Sequence, residues 1–211
     1  VPGWATFTAS TGVLAGTPLN ADVGANSVVI TVSDGTASVT DSFTITVANA
    51  NDAPTITSTA VLTATEDAAY TYTVTAADDD SDALTMTGTT VPGWATFTAS
   101  TGVLAGTPLN ADVGDNSVVI TVTDGNGGSV TDTFTIAVAN TNDAPTISST
   151  AVLTATEDVA YTYTVTAADV DSGDTLTMTG TTVPGWATFP ASTGVLAGTP
   201  LNADVGANSV V

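Results

Sequence analysis

The chain has 211 residues, 21 of them Asp or Glu, a formal charge of −21, and no Lys, Arg, His or Cys. Without His or Cys there is no Ser-His-Asp or Cys-His nucleophile system and no ordinary zinc site, and without Lys there is no Schiff base and no Lys–Asn isopeptide staple. Phosphate backbones and anionic membrane surfaces would meet only repulsion, so nucleic acid is excluded as a partner and a cation is the natural one.

Apolar residues make up 43% of the chain and are mostly Val, Ala, Leu and Ile beside abundant Thr. That is the composition of strands, not of a disordered acidic tail. No apolar run is long enough to cross a bilayer, so no membrane insertion is expected in this segment. No signal peptide is visible and the sequence starts and stops mid-pattern, so any export or anchoring signals are expected to lie outside it.

Repetition organises the chain. Val1-Pro2-Gly3-Trp4 recurs at Val91-Pro92-Gly93-Trp94 and Val183-Pro184-Gly185-Trp186. Asn51-Asp52-Ala53-Pro54 recurs 91 residues later at Asn142-Asp143-Ala144-Pro145 (142 − 51 = 91). This period suits one sandwich domain and is too long for a solenoid turn. The polar Asn-Asp-Ala-Pro segments read as linkers. They predict the C-terminal half of a repeat over 1–52, a complete repeat over 53–143, and the N-terminal portion of a third over 144–211.

Within the complete repeat, residues 55–65 read as a first, edge-type strand. In 69–76, Tyr70, Tyr72, Val74 and Ala76 alternate with Thr71, Thr73 and Thr75, the pattern of a half-buried strand. Strands follow at 84–90, 95–98 and 102–105, and a hairpin joins 116–123 to 129–138 around Asp124-Gly125-Asn126-Gly127-Gly128. No segment has helical periodicity. The expectation is an all-β fold of tandem seven-stranded Greek-key β-sandwiches, of cadherin or immunoglobulin type. Portions 1–52 and 144–211 hold only part of the strand set, and their exposed sheet edges are expected to be able to pair between molecules.

In that strand order the loops gather the acids. Asp78, Asp79, Asp80 and Asp82 fall between the second and third strands, and Asp124 between the sixth and seventh, at the end facing linker Asn51-Asp52. Glu66, Asp67, Asp112 and Asp115 fall at the opposite end, facing linker Asn142-Asp143 and the next portion's Asp169 and Asp171. Carboxylates crowded together repel or take up protons, whereas calcium accepts 6–8 oxygens in flexible geometry.

The run Val118-Val119-Ile120-Thr121-Val122-Thr123-Asp124-Gly125, followed by a strand and Asn142-Asp143-Ala144-Pro145, resembles the end of a cadherin repeat. Thr164-Val165-Thr166-Ala167-Ala168-Asp169-Val170-Asp171-Ser172-Gly173 resembles the second cadherin strand with its Asp-x-Asp calcium motif. Segment 93–125, with Ser100-Thr101-Gly102 and Gly106-Thr107-Pro108, resembles the Ig-like and dystroglycan-type cadherin-like modules repeated in large bacterial surface adhesins. The resemblance implies calcium (Ca2+) at Asn51, Asp52, Asp78, Asp80 and Asp124 for the first junction. For the second it implies Glu66, Asn142, Asp143, Asp169 and Asp171. Two departures stand out. Ala53 and Ala144 replace the second linker Asn of animal cadherins, and the acidic motif of the fifth-to-sixth loop is missing, with Asp112 only a positional substitute. One or two ions per junction is the expectation.

The competing readings are weaker. Asp78-x-Asp80-x-Asp82 fails as a helix-loop-helix calcium loop, because Ala83 and Thr89 stand where Gly and Glu belong. Trp4, Trp94 and Trp186 each follow a Pro-Gly turn and read as core or sheet-capping aromatics rather than sugar-stacking platforms. Paired acids could serve glycoside hydrolysis, but no loop is long enough to build a cleft, so no enzyme is expected. The expected function is a calcium-rigidified extender or stalk in a secreted or cell-surface bacterial adhesin. Its partners would be calcium ions, neighbouring repeats, and homophilic or glycan ligands, and each repeat would advance the stalk by roughly 40 Å. The alternatives are a glycan- or self-binding Ig-like module, or an accessory domain of a secreted polysaccharide-active enzyme.

Overall fold

A computed structural model describes all of residues 1–211, which divide into two units, 1–138 and 139–211. Almost all regular structure is strand, with only three short 3-10 turns, at Asn20–Asp22, Asn110–Asp112 and Asn202–Asp204.

Unit 1 holds the complete strand set. One sheet runs Thr63–Thr65, Ser129–Ala139, Gly114–Thr123, Thr85–Thr90; the other runs Ala95–Thr98, Val103–Gly106, Tyr70–Thr73. The long hairpin pairs Gly114–Thr123 with Ser129–Ala139 in unbroken antiparallel register from Gly114↔Val138 to Thr123↔Ser129. On its other side Gly114–Thr123 pairs with Thr85–Thr90, with an irregularity at Val119/Ile120.

The core lies between the sheets. Tyr70, Tyr72, Val74 and Leu104 from one meet Val118, Ile120, Ile136 and Val138 from the other. The alternation read from 69–76 holds: the tyrosines and Val74 are buried while Thr71, Thr73 and Thr75 are exposed. Two edge-to-face aromatic pairs, Tyr70–Trp94 and Tyr72–Phe134, lock the packing at 5.6 Å between centroids.

The expected first strand is two pieces. Thr55–Ile56 pairs with Ala76–Ala77, whereas Thr63–Thr65 lies beside Ser129–Ala139 in the other sheet. The chain therefore crosses from one sheet to the other, a way of turning a sandwich corner. Ser58 marks the crossing: its hydroxyl accepts from Thr75 N at 2.9 Å and meets the Tyr72 hydroxyl at 2.9 Å. Before this repeat, Ala5–Thr8 pairs with Val13–Gly16, and Gly24–Ser33 pairs with Ser38–Val47.

In unit 2, Thr146–Ile147 pairs with Ala167–Ala168, and a second sheet runs Tyr161–Thr164, Val195–Gly198, Ala187–Thr188. The Tyr161–Trp186 edge-to-face contact repeats the Tyr70–Trp94 geometry.

Candidate metal centre

The loop following Ala76–Ala77 is folded by its own acids. Asp78 Oδ1 accepts from Asp80 N at 2.9 Å and more weakly from Asp82 N at 3.4 Å. Ser81 takes a left-handed backbone, φ 61°. This Asx-type turn uses one Asp78 oxygen locally; the other, Oδ2, is buried with no hydrogen-bond partner.

Across from it, Asp124 is the turn residue of the long hairpin and only 4% exposed. Its Oδ1 accepts from Asn126 N at 2.7 Å and Gly128 N at 2.9 Å, and its Oδ2 from the linker amide Asn51 Nδ2 at 2.8 Å. The Asn51 hydrogen bond, reinforced by the backbone N–H groups of the turn, holds this carboxyl below the usual Asp range despite its burial. Gly128 is required here: a Cβ would strike the Asp124 carboxylate and come within 2.8 Å of Ala53 Cα.

Asp80 faces the linker. Its Oδ2 accepts from Asp52 N at 2.6 Å, and its Oδ1 is buried without a hydrogen-bond partner. The Asp52 N–H, helped by the side chains of Asn20 and Asn49, lowers its pKa against desolvation and the Asp124 charge. Asp52 in turn accepts from Asn20 Nδ2 at 3.2 Å, so the preceding portion touches the linker through an amide of its 3-10 turn.

Asn51, Asp52, Asp78, Asp80 and Asp124 are thus drawn together within unit 1. One carboxylate oxygen from each of Asp78, Asp82 and Asp124 lies within 4.8 Å of the other two. Asp82 joins this group although the resemblance did not single it out, and its Oδ2 accepts from Asn126 Nδ2 at 2.7 Å. The chain has no basic side chain, so only amides and backbone N–H groups offset these charges. Such a set of hard oxygens, some without donors, fits calcium better than any softer metal.

The second set divides between the units. Glu66 belongs to unit 1, where it is 2% exposed ahead of the left-handed Asp67, φ 58°. Asn142, Asp143, Asp169 and Asp171 belong to unit 2 and repeat the first pattern. Asp169 Oδ1 accepts from Asp171 N at 2.9 Å, and Asp171 Oδ2 accepts from the linker N–H of Asp143 at 2.6 Å. Asn142 Nδ2 donates to Asp143 O at 2.7 Å, and Asn140 Nδ2 donates to Asp171 Oδ1 at 2.9 Å. Asp174 completes a trio with Asp169 and Asp171, their oxygens within 4.8 Å of one another. Asp112 is used locally, its Oδ2 capping Leu109 N at 2.9 Å.

Each Trp bonds an Asn of the same repeat: Trp4 Nε1 to Asn26 at 3.1 Å, Trp94 to Asn116 at 3.0 Å, Trp186 to Asn208 at 3.2 Å. With Trp94 and Trp186 also edge-on to tyrosines, these residues serve packing.

Paired sheets of this topology, with acids gathered in the loops, define an Ig-like, cadherin-like β-sandwich repeat. The chain belongs to the family described as Putative Ig domain, whose profile matches residues 1–48, 53–139 and 144–211. Human CDH23 EC21-23 is similar in fold, at 16% identity over 90% of this chain and 69% of that one, with a TM-score of 0.55. The protocadherin GammaB4 extracellular domain matches at 16% identity over 98% of this chain and 40% of its own, with a TM-score of 0.47. The endo-fucoidan hydrolase MfFcnA4 from glycoside hydrolase family 107 is 28% identical over 100% of this chain, with a TM-score of 0.40. This chain spans 35% of the length of that hydrolase. A search of curated proteins finds no match.

Proposed function

We propose that the chain is a calcium-rigidified extender, a non-catalytic stalk segment of a secreted or cell-surface adhesin whose repeats serve cell adhesion, biofilm or matrix. The observation that supports this most is the junction ahead of the complete repeat. There the Asp78, Asp82 and Asp124 oxygens converge, linker residues Asn51 and Asp52 bond into the same loops, and Asp78 Oδ2 and Asp80 Oδ1 are buried without donors. The first-junction ligands would be Asp78, Asp80, Asp82, Asp124, Asn51 and Asp52. In unit 2 the corresponding ligands would be Asp143, Asp169, Asp171 and Asp174, with Asn142 of the same linker. The ion supplies positive charge and oxygen coordination. The chain's own residues supply a linker already hydrogen-bonded to the loops, so little reordering is needed when the ion arrives.

Extracellular calcium modules bind at about 10⁻⁴ to 10⁻³ M. Ion at about 100 times that constant adds ~2.7 kcal/mol per site, large against a domain stability of ~5–15 kcal/mol. In calcium-poor cytosol the chain would stay loose, which suits export. A glycan-stacking role loses its best support because Trp94 is committed to Asn116 and Tyr70. The reading is tested by thermal melting and small-angle scattering in calcium and in EDTA. Calcium should raise the melting temperature and lengthen the particle, and Asp78→Ala with Asp80→Ala should remove both effects. Melting curves and scattering that are the same with and without calcium would reject the reading.

A further inference from the structure

The turn of the long hairpin is the one place in the chain where Asn is followed by Gly, at Asn126-Gly127. The corresponding turn of the preceding portion is shorter and reads Asp34-Gly35-Thr36-Ala37, without an Asn. Asn126 and Gly127 are both exposed and lie outside any strand. Gly127 takes a positive φ of 111°, with open space where a Cβ would stand. No side chain therefore shields its nitrogen, which is the next main-chain nitrogen after the Asn126 carboxamide. That carboxamide also ties the turn to the acidic loop. Its Nδ2 donates to Asp82 Oδ2 at 2.7 Å, joining residues 44 apart in sequence. With no basic side chain in the protein, an amide holds the place a cation would take.

We propose that Asn126 is a site of spontaneous deamidation, with water as co-reactant, and that the reaction turns the hairpin's hold on Asp82 into a repulsion. The Gly127 nitrogen attacks Asn126 Cγ. A bond forms between them, the Cγ–Nδ2 bond breaks, and ammonia leaves with the proton shed by Gly127 N. The Asp124 carboxylate accepts from that N–H and so stands where the proton must pass. Water then opens the cyclic imide. Opening at the side-chain carbonyl leaves aspartate, and opening at the main-chain carbonyl leaves isoaspartate.

Either product exchanges an amide donor for a carboxylate beside Asp78, Asp82 and Asp124, whose oxygens already lie within 4.8 Å of one another. Isoaspartate also lengthens the main chain between Asn126 N and Gly128 N, the two donors that bond Asp124 Oδ1. Asn116, followed by Ser117, is the contrasting case. It lies within the strand Gly114–Thr123, its Oδ1 accepts from Trp94 Nε1, and its Nδ2 donates to Asp112 O. None of this chemistry needs a bound ion, so it stands apart from the calcium reading.

The test incubates the 211-residue protein in EDTA at mildly alkaline pH and follows ammonia release and chymotryptic peptides by mass spectrometry. Aspartate and isoaspartate should accumulate in place of Asn126 while Asn116 stays intact. Asn126→Thr, which borrows the residue of the shorter turn, should remove the early ammonia release. Asn126→Asp, made directly, should lower the urea midpoint in EDTA relative to both the parent and N126T, and high salt should close much of that gap. An Asn126 that stays intact or converts no faster than Asn116 overturns the inference, as does ammonia release unchanged in N126T. A midpoint for N126D equal to the parent's overturns the repulsion at Asp82.

Discussion

The buried Asp124 and the half-buried Asp80 show how a chain with no basic side chain favours the charged form of its carboxylates: Asn51 and turn N–H groups bond the first, and the Asp52 N–H bonds the second. Both have pKa values lowered in the folded state, so their contribution to stability is complete above the ordinary Asp value and is lost as pH falls through the lowered ones. The urea midpoint in EDTA should therefore fall below about pH 4, and Asp124→Asn should flatten that fall; a pH-independent midpoint in the parent would contradict the assignment. Gly128→Ala drives a methyl into the Asp124 carboxylate and the linker at Ala53 and should cost about 1–3 kcal/mol in urea unfolding. Most of these residues were legible in the sequence because strand order places their loops at one end. Asp82 was harder to assign. Asp78, Asp80 and Asp82 alternate identically in sequence, and only the turn at Ser81 decides which oxygens face Asp124 and which face the linker. Asn20 was invisible, since its contact with Asp52 joins residues 32 apart, a 3-10 turn and the linker.

At the level of elements, strict alternation in Tyr70–Val74 made the buried face readable, and Leu104 completes it from the neighbouring strand. Leu104→Ala should cost about 2–5 kcal/mol by urea denaturation. Leu109→Ala, at a position 58% exposed, should change stability by about 0.5 kcal/mol or less. Equal effects at both positions would show that the core is not where the packing puts it. The switch of residues 55–65 between sheets was not legible. Both halves carry strand-like composition, and what separates them is the set of Ser58 bonds to Thr75 and Tyr72, which sequence spacing does not encode.

For the whole molecule, 21 acids and no bases mean that compaction proceeds against uncompensated repulsion, and no ion pair within the chain can relieve it. The three family matches put that charge into a repeated plan, and each unit holds an acidic trio: Asp78 and Asp82 with Asp124 of the hairpin turn in one, Asp169, Asp171 and Asp174 of a single loop in the other. A divalent ion held at these loops would relieve the repulsion where it is most concentrated, coupling stability to the free calcium level. The direct measurement is isothermal titration of calcium into the 211-residue protein and its Asp78→Ala/Asp82→Ala variant. The account predicts binding at about 10⁻⁴ to 10⁻³ M in the parent, with the first-junction sites missing from the variant. An absence of binding in the parent, or identical titrations for the two proteins, would contradict it.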